Sequence, residues 1–329
     1  MRIIFILLVI CAVAMIVEGL RPDVGTTQRE LKLAYVMLPG GPAHEAAQYF
    51  AQLVEEKTNG KIRIKLFASA QLGNDRELAE GLMIGSVDFV LGGTAPIGWY
   101  LPAYGAVASP FAFRDYGHMD RVFGGEIGDE ISLALQQKKG IKVLDWWHRG
   151  PRYLTTTSHR VSRPEDLHGL KLRVPELPTY IEAWSILGAN PTPITYSEIF
   201  MALKQGIVEG QENPLEVIYS SSLHEVQRYV METEHQLGCY MLMVGNQVFE
   251  SLSEDVQEAI RAAAVESGHR EHELMVDYES QFRKKLIEQG VEFVEVDQQA
   301  FRDPVVEELP RRFETVWAKD FFQRIINTP

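Results

Sequence analysis

Cysteine is nearly absent from this chain. Of 329 residues only Cys11 and Cys239 carry a thiol. Cys11 lies inside an N-terminal apolar run, so a mature chain keeps Cys239 alone, without an internal disulfide partner, and stability has to come from packing. The surrounding LGCYMLMVG marks Cys239 as a buried thiol. Positive charge is also in short supply. Lysine and arginine number 32 against 45 acidic residues, a net charge of −13 that excludes the basic stripe a nucleic-acid partner requires and serves solubility instead. Catalytic signatures are missing too: there is no G-x-S-x-G elbow, no G-x-x-x-x-G-K phosphate loop, no G-x-G-x-x-G after a strand and no H-E-x-x-H. The nearest metal-like cluster, HREHE at 269–273, sets His269 and His272 three apart on a helix, but without a third ligand it reads as a solvated face. Neither catalysis nor a metal or cofactor is expected. The one long apolar run, residues 3–17 behind Arg2, is short for a membrane span and suits a signal-peptide core. Glu18 and Leu20 make a poor cleavage site, so residues 1–29 read either as a signal peptide or as an N-terminal anchor.

What is present is a hydrophobic content of 46%, enough in a chain of this length for about two domains with real cores. Strand and helix signals alternate throughout. Strands are expected at 31–36, 61–67, 87–93, 141–147, 152–157 and 170–174, with a minimal one at Ile207 and Val208. Helices are expected after the Pro-Gly turn at 39–42, over 115–138, from Pro178 to a stop at Gly188 and from Ser197 to a stop at Gly206. NDRE at 74–77 has the spacing of a capping box, with Asn74 accepting from first-turn amides and Glu77 reaching back, and its helix should end near Gly85. A far longer helix runs from Ser253 to about Gln289 and at about 1.5 Å per residue exceeds the width of one small domain. The expectation is an α/β fold with a largely parallel sheet, built as two units side by side with a cleft between them.

Two stretches are not explained by folding alone. In LKLRVP, Leu170, Leu172 and Val174 alternate with Lys171 and Arg173, which puts an arginine on the last full step of a strand. In ALKQGIVEGQENP the polar Gln211, Glu212 and Asn213 again sit at a strand end. Ligands of open α/β sheets bind beyond the carboxyl ends of strands, so Arg173 and Asn213 are candidates for one shared ligand.

These stretches, together with FAQLVEEKTNGKIRIKLFASAQLGNDREL, PFAFRD and GANPTPITYSEIFMALKQGIVEGQENP, closely resemble the DctP-like solute-binding proteins of TRAP transporters over residues 31–320. The resemblance implies a two-domain periplasmic-binding-protein-like α/β fold with hinge strands and a domain-spanning long helix. It divides the chain into domain I (30–149 plus 239–279) and domain II (150–238 plus 280–329). It also implies a periplasmic protein, not an enzyme, that closes over a small organic acid and delivers it to the small and large membrane permease subunits. Carried over residue by residue, the carboxylate-binding arginine falls on Arg173 and the asparagine on Asn213. A guanidinium offers a two-donor fork that matches a carboxylate, and lysine does not reproduce it.

Arg152 matches a second cleft arginine, although Arg149 stands close enough to compete for that assignment. From the first domain His44, Asn74, Glu77 and Thr94 occupy cleft-facing places, each with a capping or surface reading beside it. A ligand-facing Glu77 would accept from hydroxyls and repel a second carboxylate, which favours a sugar acid such as a hexuronate or aldonate over a C4-dicarboxylate or other small carboxylate. Trp146, Trp147 and Tyr196 are candidates to pack on the ligand, with the core as their more ordinary place. A module that senses the ligand for a membrane receptor is the alternative of another class.

Overall fold

The first helix shows how the chain builds its layers. Apolar residues at 43, 46, 47, 50, 53 and 54 recur at helical spacing, Pro42 occupies the first turn where its missing N–H costs nothing, and the resulting stripe is buried. In the computed structural model, which describes residues 28–329, that helix covers one face of a nine-stranded mixed sheet. The N-terminal apolar run and Cys11 lie outside the described residues. Among the described residues no helix is long and apolar enough to cross a membrane.

In chain order the elements are β1 (Arg29–Ala34), α1 (Pro42–Lys57), β2 (Ile62–Phe67), α2 (Asp75–Ile84), β3 (Phe89–Gly93), α3 (Ala95–Tyr100), α4 (Tyr116–Phe123), α5 (Glu126–Lys139) and β4 (Ile141–Thr156). There follow β5 (Lys171–Val174), α6 (Pro178–Ile186), β6 (Asn190–Pro193), α7 (Ile199–Lys204), β7 (Gly210–Asn213), α8 (Leu215–Ser220) and β8 (Tyr229–Gly245). The chain closes with α9 (Asn246–Glu250), α10 (Glu254–Glu288), β9 (Glu292–Val294), α11 (Gln298–Arg312) and α12 (Phe321–Asn327). Strand order is β2-β1-β3-β8-β4-β7-β5-β6, with β9 paired to β8.

The centre of the sheet departs from the sequence expectation. The strands expected at 141–147 and 152–157 are one 16-residue strand, β4, antiparallel to the 17-residue β8. Antiparallel pairings of β3 with β8 and β7 with β4 flank them, so the sheet is mixed, with parallel pairing in β2-β1-β3 and β7-β5-β6 and between β9 and β8. Periodicity cannot reveal that two apolar runs separated by Arg149, Gly150 and Pro151 belong to one strand. β4 and β8 thus belong to both units. Their register slips between Arg149 and Arg152 and again between Arg152 and Leu154, and Glu234 of β8 stands at φ 40°, left-handed backbone uncommon for a non-glycine residue. These irregularities break the ladder midway and turn side chains from both strands toward the space between the units.

The long helix α10 crosses beside both units. It packs on β4 through Gly268, where an added Cβ would lie 2.3 Å from Asp145 Oδ2 and 2.7 Å from Trp147 Cδ1. Trp147 is fully buried beneath it and donates from Nε1 to the Ala264 carbonyl at 3.2 Å, while Trp146 stacks on Phe123. Both tryptophans pack against neighbouring elements of the fold. The chain ends in two helices, α11 and α12. α12 packs on residues 104–130. Phe321 meets Tyr104 at 5.2 Å, His118 hydrogen-bonds the Ile325 carbonyl at 2.9 Å and Arg324 pairs with Glu130 at 2.8 Å.

Candidate functional site

β5 reaches the sheet interior with the pattern exposed, buried, buried, buried, so Arg173 is a guanidinium with only 4% of its surface exposed. Its Nε and Nη2 both donate to the Ile194 carbonyl, at 2.8 and 2.6 Å, which holds the fork in place and leaves Nη1 uncommitted. Burial pushes its pKa down to about 10, so it stays charged at neutral pH.

β7 lies between β4 and β5 and is made of the polar residues themselves, Gly210 to Asn213. The minimal strand expected at Ile207 and Val208 is instead a turn into it. Successive residues of a strand face opposite ways. Gln211 and Asn213 share one side, where Asn213 Nδ2 donates to Gln211 Oε1 at 2.6 Å. Glu212 turns the other way into a fully buried ion pair with Arg152, whose Nη2 donates to Glu212 Oε1 at 2.6 Å and to the Glu212 carbonyl at 2.7 Å, while its Nε also bonds the carboxylate. His235 completes the group, with Nε2 3.0 Å from Glu212 and Nδ1 2.9 Å from Thr233 Oγ1. Burial opposes the Glu212 charge, but Arg152 and His235 overcome it and hold the carboxyl at about 2. Arg152 therefore enters the site already neutralised on one side.

Arg173, Arg152 and Asn213 line one cavity of about 100 Å³ with Arg149, Asp75 and Thr94. Asp75 opens α2 and Thr94 follows β3, Arg173 and Asn213 lie on β5 and β7, and Arg149 and Arg152 both lie on β4. The units are in contact around it: Trp99 Nε1 donates to the Glu176 carbonyl at 3.0 Å, and a Cβ on Gly98 would lie 2.9 Å from Leu177. A smaller cavity of about 50 Å³ adjoins it, walled by Asn74, Trp99 and Arg76, the last stacked 4.3 Å over the indole. Tyr196 lines both, and also an outer cavity of about 520 Å³ where its hydroxyl meets Ser221 Oγ at 2.8 Å.

Four of the seven residues singled out from sequence thus share the cavity, and Asn74 lines its neighbour. Two do not. Glu77 is turned back on its own helix, Oε2 accepting from the Asn74 amide at 2.8 Å, while Asn74 Oδ1 accepts from the amides of Arg76 and Glu77 at 3.0 Å each. The capping box is complete and uses the carboxylate that was expected to read hydroxyls. His44 is turned to Tyr35, 2.7 Å from its hydroxyl, and burial lowers its pKa.

Asp75 was missed. It is the first residue of α2, between the capping pair, and its carboxyl lines both cavities. Burial raises its pKa, and Arg149 and Arg173 act against that rise. Arg149 is the other addition. Its Nε is buried without a hydrogen-bond partner and its guanidinium lies 5.0 Å over the Tyr240 ring. Cys239 lines the cavity as well, but burial pushes its thiol up and keeps it unreactive. His272 of the HREHE run contacts His148, which bonds Asp120 at 2.6 Å, and among the described residues no three such groups are placed to hold a metal.

A small cavity with three guanidiniums in its wall offers the charge-assisted donors that suit an anion. Residues 33–318 match the family described as bacterial extracellular solute-binding protein, family 7 (DctP). A solute-binding protein of Roseobacter denitrificans is 36% identical over 272 residues, 83% of either chain. Its solved structure, a TRAP periplasmic solute-binding protein with bound L-galactonate, superposes with a TM-score of 0.85 at 33% identity, covering 91% of this chain and 98% of that one. The 2,3-diketo-L-gulonate-binding periplasmic protein of Escherichia coli is 30% identical over 304 residues, 90% of this chain and 92% of its own. A TRAP solute-binding protein of Chromohalobacter salexigens with bound D-glucuronate gives a TM-score of 0.85 at 31% identity, covering 91% and 100%.

Proposed function

The chain belongs to the DctP family of TRAP-transporter solute-binding proteins, and we propose that it captures a hydroxylated monocarboxylate, a sugar acid, by closing its two units over it. The observation that carries this reading is the pairing, in one buried cavity, of arginines from the second unit and the hinge with a carboxylate from the first. Arg173 and Arg149 offer charge-assisted donors to the ligand carboxylate, Asn213 adds a neutral donor, and Asp75 accepts from hydroxyls on the carbon chain. A site built around a fixed cation rejects a ligand without the carboxylate, because the guanidinium would be left buried and unpaired.

Galactonate, glucuronate and diketogulonate in the names of the relatives support the same class. The protein acts outside the cytoplasm, as its family does, and on this reading hands its cargo to the membrane permease subunits without chemical change. Closure bends the hinge where β4 and β8 lose register, while α10 spans the gap.

A thermal-shift screen of the purified chain against aldonates, hexuronates, C4-dicarboxylates, 2-oxo acids and neutral sugars tests the proposal. A ligand that binds the folded state alone raises the midpoint by mass action. A rise with hydroxylated monoacids is the expected result; a rise with C4-dicarboxylates alone, or with neutral sugars alone, overturns it.

A further inference from the structure

The cavity's charge can be counted from its walls. Arg149, Arg152 and Arg173 supply three positive charges, Glu212, bonded directly to Arg152, supplies one negative charge, and Asp75 in the wall supplies a second in its ionised form, the form that Arg149 and Arg173 favour against burial. One net positive charge remains. The other ionisable groups in the wall add none: burial holds the hydroxyls of Tyr180 and Tyr196 and the thiol of Cys239 in their neutral forms, and His235, behind Glu212, is pushed toward neutrality by burial as well. Glu216 also interacts with Arg149, but it lies against Gly41 outside the wall.

Within this count the two carboxylates differ. Glu212 is locked by Arg152 and His235, whereas the Asp75 side chain has no partner beyond its own backbone amide among the described residues and shares the cavity wall with Arg149 and Arg173. Arg149 is the matching free group, its Nε buried and unpartnered.

We propose that Asp75, which shares the cavity wall with Arg149, sets the charge of acceptable ligand, admitting a sugar monoacid and rejecting the corresponding diacid. This rests on the sugar-acid reading above. A second carboxylate on the ligand would be buried with no counter-charge left and with the Asp75 carboxylate as a like-charge neighbour, whereas a terminal hydroxyl in its place donates to Asp75.

Galactonate and galactarate differ only in whether the sixth carbon is a hydroxymethyl or a carboxylate, so calorimetric titration of both isolates the effect. The wild type should bind galactonate and discriminate against galactarate. Asp75→Asn keeps side-chain size and leaves two net positive charges. It should weaken galactonate by about tenfold, because a hydroxyl acceptor becomes a poorer one, and should strengthen galactarate by at least about as much. Arg149→Gln removes a cation of the wall and should weaken both acids. Thermal midpoints without ligand confirm that each variant folds.

An Asp75→Asn protein whose ratio of the two affinities stays within about threefold of wild type overturns the assignment while leaving the sugar-acid reading intact. So does an Arg149→Gln protein that binds galactonate as the wild type does. A wild type that binds no sugar acid of either kind overturns the sugar-acid reading itself, and this inference with it.

Discussion

Replacing Arg173 tests the site at its centre, and the structure sets the size of the effect. The side chain has two tasks: Nε and Nη2 hold the Ile194 carbonyl, and Nη1 with the remaining charge is free for the ligand. Arg173→Ala removes both. Without ligand, the Ile194 carbonyl loses both its donors, worth about 1–3 kcal/mol, and the midpoint should fall by several degrees. With ligand, truncating one partner of a buried charge pair costs about 2–5 kcal/mol. A central value of about 3 kcal/mol means roughly a 150-fold higher Kd. Arg173→Lys keeps the charge but offers a point donor in place of a planar fork, so it should recover part of the affinity and little of the hold on Ile194. The assay is calorimetric titration with the tightest sugar acid beside thermal denaturation of the free protein. A loss of stability with affinity unchanged within about threefold would refute the reasoning and reduce Arg173 to a prop for the loop after β6.

The capping role found for Glu77 predicts that Glu77→Ala lowers stability by about 0.5–1 kcal/mol, seen in denaturant midpoints, with no change in affinity for a polyhydroxylated acid. Gly268→Val should destabilise by several kcal/mol, because the new side chain lands on Asp145 and Trp147 and lifts α10 from β4; a wild-type midpoint would contradict that packing. Glu216 couples closure to pH. Its carboxyl, buried against Gly41 of the opposite unit, is pushed up to about 7. Opening returns it to water and to an ordinary value near about 4.3, so closure takes up a proton between these limits. The closed state is favoured below that window and the advantage is lost as pH rises through about 7. Sugar-acid affinity should fall between pH 5 and pH 8, and Glu216→Gln should flatten that slope; an unchanged slope would remove Glu216 from the linkage.

How far the sequence foretells this site follows from which physical signals are local. The ends of α2 are legible because capping is chemistry within four residues: Asn74 and Glu77 form the expected box, and Gly85 ends the helix at φ 76°. The same local signal hides Asp75, since a spacing rule that explains two polar residues leaves no mark on the one between them, whose role is decided by Arg149 and Arg173 of distant strands.

The hinge is opaque for a related reason. Arg149, Gly150 and Pro151 look like a break between strands, and only the pairing partner β8 makes them a bulge within one. That bulge separates the two hinge arginines by purpose: Arg152 meets Glu212, whereas Arg149 shares the cavity wall with Asp75 and remains uncommitted. A family alignment assigns the cation by position, and at positions 149 and 152 position is ambiguous. Hydrogen-bond saturation is not. A guanidinium that has already committed Nε and a terminal nitrogen to a carboxylate has less to give a ligand than one with its Nε unpaired, so the division of work between the two arginines lies in the fold around them, where substitution of Arg149 reads it directly.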